Sequence, residues 1–268
     1  MSFTIALSVE SGVEIQRLLV EQLDEAIVAL EDSDRESGVH TARKACKRGR
    51  GVLLLARSGL GRRYTVLQHG FRDAARLLGP IRDGDVMQQT AQLAGASAPP
   101  RVGEEDGQHR IASARAMLAA QREALAEAPV SASRKDLIRG AVRGYKRACA
   151  GLRAVEKAAE AERLHEWRKA VKHHFYHLQL LHDLFPPVFL ALATEADGLQ
   201  ELLGSHHDLS VLRALLTDEV AIAALAAREE AMAVQALGVG EVLFALPARS
   251  LRVWLVQLWG LRARSLRT

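Results

Sequence analysis

Cysteine is scarce in this 268-residue chain: Cys46 and Cys149 stand far apart. No disulfide framework and no CxxC metal site can be built from them. Aromatics make up only 4% of the residues, and no segment shows the alternation of a half-buried strand. No uncharged apolar run reaches the roughly 20 residues that a membrane span needs. The opening MSFTIALSVESG lacks a basic stretch followed by an apolar one. A cytoplasmic protein without a membrane partner is therefore expected. Also missing are GxSxG, a phosphate-binding P-loop, HExxH and a cysteine beside a plausible base. No catalytic residue, metal or cofactor is expected.

What remains is rich in Ala, Leu, Glu and Arg, the residues of helices. Apolar spacing and punctuation predict helices over 10–31, 35–58, 62–79, 82–94 and 108–128. In the second half they predict helices over 133–160, 162–184, 187–203, 206–236 (with a break) and 247–266. The class is all-α, with each half a four-helix-type bundle joined by short connections. GASAPPRVGEEDGQ, within the first half, reads as a surface loop.

The net charge of +4 conceals a segregation. From Ser37 to Arg72 there are nine Lys or Arg and no Asp or Glu, while acids predominate just before, from Glu14 to Glu36. The tail from Val242 onward carries Arg249, Arg252, Arg262, Arg264 and Arg267, again with no acid. Such sorting creates a local positive field despite the modest total.

The densest basic stretch is also half of a repeat. HTARKACKRGRGVLLLAR (40–57) aligns with HEWRKAVKHHFYHLQLLH (165–182), pairing His40 with His165, Arg43 with Arg168 and Lys47 with Lys172. The same offset of 125 residues aligns LLGPIRDGDV (77–86) with LLGSHHDLSV (202–211), which pairs Asp83 with Asp208. A period this long indicates two halves of one domain rather than a solenoid. The join lies near EAPVSASRKD, giving one repeat at 1–128 and another at 129–268, with Ser131 or Ser133 as the cap of the next helix.

On a helix, His40, Arg43, Lys47 and Arg50 fall within a stripe about 80° wide, and Ala42, Ala45, Cys46, Gly49, Val52 and Leu53 cover the other side. His165, Arg168 and Lys172 form the same stripe in the second half, with Trp167, Val171 and Leu178 toward the core. A charge run is ordinarily a solvated face. Here like charges stack at i,i+3 and i,i+4 without interspersed Glu, which costs stability unless an anion neutralises them. Arginine's planar fork suits phosphate oxygens. In the second block, Gly79 and Gly204 read as helix stops. Asp83 and Asp208 read as helix-start acids or as orienting partners of nearby cations. His173 and His177 have the i,i+4 spacing of metal ligands, but Arg168 and Lys172 would repel a divalent ion, and His174 points to the core. Few aromatics accompany the cations for stacking nucleic-acid bases, Tyr145 and Tyr176 being the exceptions.

The pairing of HTARKACKRGR with LLGPIRDGDV, and of HEWRKAVKHHFY with LLGSHHDLSV, resembles the CHAD family, the conserved histidine α-helical domain, from about Gly12 to Arg262. The resemblance implies two helical bundles related by a pseudo-two-fold axis, with basic helices facing a central cavity. It also implies binding of inorganic polyphosphate and, in some members, association with polyphosphate granules. Carried over by position, His40, Arg43, Lys47, Arg48, Arg50, His165, Arg168 and Lys172 would line the cavity. Arg57, Arg82, Tyr145, Arg147 and His207 are further binding candidates, with Asp83 and Asp208 behind them. This chain departs from the pattern at Phe175, His173 and His182, opposite Arg50, Arg48 and Arg57, so the second half is expected to bind more weakly or to respond to pH. The alternating Glu and Lys of the triphosphatase domain fused to some relatives is missing, so no hydrolysis is expected. A metal-dependent phosphohydrolase using Asp83 or Asp208, and a nucleic-acid or acidic-protein adaptor, are the alternatives.

Overall fold

The computed structural model describes residues 3–84, 88 and 101–265, and among these there are helices and no strands. They fall into two compact units: Val9–Asp136, and Leu137 onward together with the residues up to Ser8.

The Val9–Asp136 unit holds α1 (Ser11–Ala29), α2 (Arg35–Leu60), α3 (Arg63–Leu77) and α4 (Glu104–Ala126). Each packs on the next and α4 closes back onto α1, the four-helix ring expected of a half. Asp34 caps α2 by accepting from the amides of Glu36 and Ser37. Ile15, Leu18, Leu19 and Leu23 of α1 meet Leu53 and Leu55 of α2, Phe71 of α3 and Leu118 of α4 in a fully buried core. Gly49 lets α2 approach α3 closely: a Cβ there would stand 2.5 Å from the Phe71 ring. Helix α4 starts four residues earlier than expected, because Glu104, Glu105 and Asp106 are not loop acids. They occupy its first turn, where the helix dipole favours them.

The second unit holds α5 (Arg134–Lys157, entered from the first unit), α6 (Ala161–Leu180), α7 (Pro186–Arg213), α8 (Glu219–Leu243) and α9 (Ala248–Ser265). Ser133 and Asp136 form a reciprocal capping box at the start of α5. Trp167 of α6 is fully buried where Gly151 of α5 and Gly240 of α8 leave room, a Cβ on either being 2.6 Å from the indole. Arg213 makes two hydrogen bonds, at 2.7 and 3.2 Å, to the buried Glu229, tying the end of α7 to α8. The N-terminal segment belongs here too: the amide of Ile5 donates to the carbonyl of Leu180 at 2.9 Å, and Phe3 meets Tyr176 edge to face.

Two expectations need correction. Gly204 does not stop a helix: α7 runs unbroken from Pro186 to Arg213, so Asp208 is not a helix-start acid. The break falls instead at 214–218, before α8, which Asp218 caps. In the first half the interruption is a single turn residue, Leu78, and 79–84 are already helical again, so Gly79 starts a helix rather than ending one. The remainder of the helix expected over 82–94, apart from the helical residue 88, lies outside the described residues.

Candidate functional site: a basic face in each unit

Helix α2 divides as its sequence requires. Val39, Ala42, Ala45, Cys46, Gly49, Val52 and Leu53 are buried, while His40, Lys44 and Lys47 are exposed and Arg43, Arg48 and Arg50 half-buried. Burial raises the Cys46 thiol to about 12, against the pull of Arg43, Arg50 and Lys47, so it stays protonated.

Arg43 reaches both α3 and the helical residues that follow it. Its Nη1 donates to the carbonyl of Ala75 at 2.8 Å, near the end of α3. The guanidinium lies over Gly79, where a Cβ would stand 3.2 Å from Nη1, and Nη2 is 3.7 Å from Asp83. Asp83 thus sits where an orienting carboxylate should, although it remains exposed. Arg168 takes up the matching place in the second unit. Its guanidinium from α6 lies over Gly204 of α7, with Nη2 only 2.6 Å from the position of a Cβ. The two glycines of the repeat therefore serve as seats for the two arginines. Gly79 and Gly204 share that role, although only Gly79 follows a turn residue, Leu78.

Arg168 has the company its sequence position predicts. The His165 and His207 rings lie 4.8 Å apart, and the buried Nδ1 of His165 has no hydrogen-bond partner among the described residues. Burial, reinforced by Lys169, His207 and Arg168, lowers the proton affinity of His165 below that of an ordinary histidine. Lys172 donates to Gln200 at 3.3 Å, and Gln200 in turn donates to Asp197 at 2.9 Å. Arg147 is exposed on α5 and helps Lys169 to hold the Glu166 carboxyl below its usual range. Among the described residues Asp208 makes no ion pair, so the parallel with Asp83 does not extend to it.

Several predicted residues are engaged elsewhere. Arg48 reaches Glu25 of α1 at 3.6 Å, and Arg82 reaches Glu36 at 3.2 Å. With the Gln68 amide turned to oppose it, Arg50 donates through Nε to the amide oxygen at 3.0 Å. Arg57 lies over the Tyr64 ring, 4.8 Å from its centre. The basic helix is therefore less bare of acids than its own sequence suggests, because α1 and the helical residues 79–84 supply Glu25 and Asp83. Tyr145 is a core residue, 3% exposed, and its hydroxyl donates to the Leu246 carbonyl at 2.7 Å. Tyr176 is equally buried, so neither tyrosine offers a face to a nucleic-acid base.

The histidines of α6 divide in the same way. His174 is buried between Tyr145 and Phe244, with ring centres 5.3 and 5.6 Å away. Burial and the neighbouring His177 lower its pKa to about 3. His177 packs over Gly144 of α5 inside the fold. Among the described residues no three His, Cys, Asp or Glu side chains gather into a group that could hold a metal.

Among the described residues the fold is all-helical, and each half carries a basic stripe and an arginine seated on a helix glycine. The model of the CHAD domain matches residues 15–217, so this chain belongs to the CHAD domain family. No curated protein matches it.

Proposed function

We propose that the chain binds inorganic polyphosphate and does not hydrolyse it. The observation that carries this reading is the recurrence of one arrangement in both units: an arginine laid over a helix glycine, beside a histidine and a lysine on the same stripe. Family membership supports polyphosphate as the anion. The chemistry agrees, since polyphosphate repeats equivalent oxygens and carries no bases to read. Charge-assisted contacts to such oxygens are worth about 1.5–3 kcal/mol each, before desolvation and ordering costs. A chain bound in this way would also attach to polyphosphate granules.

The test is a titration with polyphosphates of several lengths at two salt concentrations, with duplex DNA as competitor at equal phosphate. Polyphosphate is expected to bind more tightly than DNA, with an affinity that falls as salt rises. Displacement by DNA would reassign the ligand. Phosphate release with Mg²⁺ or Mn²⁺ present would make the chain a phosphohydrolase.

A further inference from the structure

Helix α9 has no counterpart among α1–α4, and it lies beyond the residues matched to the family. It is apolar on both sides. Leu251, Leu255 and Trp259 are buried, while Val253, Val256 and Leu261 on other faces are 56%, 53% and 55% exposed. A helix that is hydrophobic all round is ordinarily covered all round. Arg249, Arg252 and Arg264 are also exposed, and at 100° per residue they share the outward side with Val253 and Val256. From Val242 to the last residue the sequence contains no Asp or Glu.

We infer that the outer face of α9 docks on an anionic lipid bilayer. Valines among arginines suit a membrane–water boundary: apolar tips enter the headgroup region, and guanidiniums lie along it, against lipid phosphates and carboxylates. A second copy of the chain fits less well, because α9 against α9 would bring arginine rows together with no acid on the face. Insertion across the bilayer does not fit either. Among the described residues no single helix is long and apolar enough to cross a membrane; only α8 and α9 taken together meet that test, across a 53° bend. Moreover, α9 is held by its other side. Trp254 stacks on Phe189 with ring centres 5.5 Å apart, and Arg262 donates to the Leu184 carbonyl at 3.1 Å. The sequence-based expectation of no membrane partner rested on the lack of a spanning run, which a surface site does not need. This inference stands apart from the polyphosphate reading and involves none of its residues.

The experiment is co-sedimentation of the full chain, free of polyphosphate, with phosphatidylcholine vesicles with and without phosphatidylserine, at physiological salt. Binding is expected to the anionic vesicles only. Val253→Ser with Val256→Ser, and separately Arg249→Gln, Arg252→Gln and Arg264→Gln together, should each weaken it about tenfold or more. All five positions are exposed, and unchanged circular dichroism and polyphosphate titrations would show that the variants fold. Absence of vesicle binding, equal binding to neutral vesicles, or indifference to both sets of substitutions would overturn the inference. So would either of two other results without vesicle binding: capture of polyglutamate, which would point to an acidic protein, or self-association abolished by the valine substitutions, which would point to a second copy.

Discussion

Replacing Gly204 by Ala sets two effects against each other, and the structure predicts the sign of both. Gly204 is buried in the interior of α7, where alanine is worth roughly 1 kcal/mol more than glycine to the helix. The new Cβ would stand 2.6 Å from Nη2 and 2.9 Å from Cζ of Arg168, so the guanidinium must leave its seat. Because the obstacle is the tip of a flexible side chain, the move costs the fold little. Urea unfolding should show Gly204→Ala as stable as the wild type or more so, by up to about 1 kcal/mol. Polyphosphate affinity should fall about tenfold, the lower end of what a lost charge-assisted contact costs. The first half provides an internal scale. At Gly79 the Cβ would be 3.2 Å from Arg43 Nη1, and a shift of a few tenths of an ångström relieves it. Gly79→Ala should therefore weaken binding less than Gly204→Ala does. Wild-type affinity in Gly204→Ala would refute the idea that these glycines position the arginines for the ligand.

Two further predictions concern protons. His165 is held below its ordinary proton affinity by burial and nearby cations, and a bound polyanion would raise it again, so binding should take up protons. Affinity should then rise as pH is lowered through the ordinary histidine range and beyond it, and His165→Gln should flatten that dependence in titrations across pH. His174, at about 3 in the folded chain, is accompanied by His177 and lies against the Tyr145 and Phe244 rings. The unfolded chain protonates it near 6.5, so its contribution is fully present above that pH and is lost as pH falls toward 3. Urea unfolding should show a loss on the order of 2 kcal/mol between pH 7 and pH 5 that His174→Phe largely removes; an unchanged acid limb in the variant would place the effect elsewhere.

Much of this is legible in the sequence. The 3.6-residue spacing locates most of the described helices within a few residues. The exception is the pair expected over 187–203 and 206–236, where the break falls about ten residues later. The charge segregation along α2 separates its buried from its exposed side. The repeat pairs Arg43 with Arg168 through the 125-residue offset alone. What stays hidden depends on neighbours distant in the chain. Nothing near Arg48 or Arg82 in the helix pattern announces Glu25 or Glu36 as partners. Gly204 reads as a stop because glycine ends helices often, whereas here the reason for glycine stands on another helix. Tyr145 sits among cations in GYKRACAGLR and so resembles a ligand-facing residue. Helix rotation turns it the other way, onto His174 and the Leu246 carbonyl.

The short segment at Phe3–Ser8 bears on how the chain is made and divided. It precedes α1 yet is fastened to the end of α6 through the hydrogen bond from Ile5 to Leu180. During synthesis the first bundle has all its helices long before Leu180 emerges, so these residues must wait, tethered but unplaced, for their partner. Cutting the gene at the repeat boundary would strand them on the wrong piece. A fragment carrying only the second repeat would lack part of its own packing, although its sequence repeat is complete.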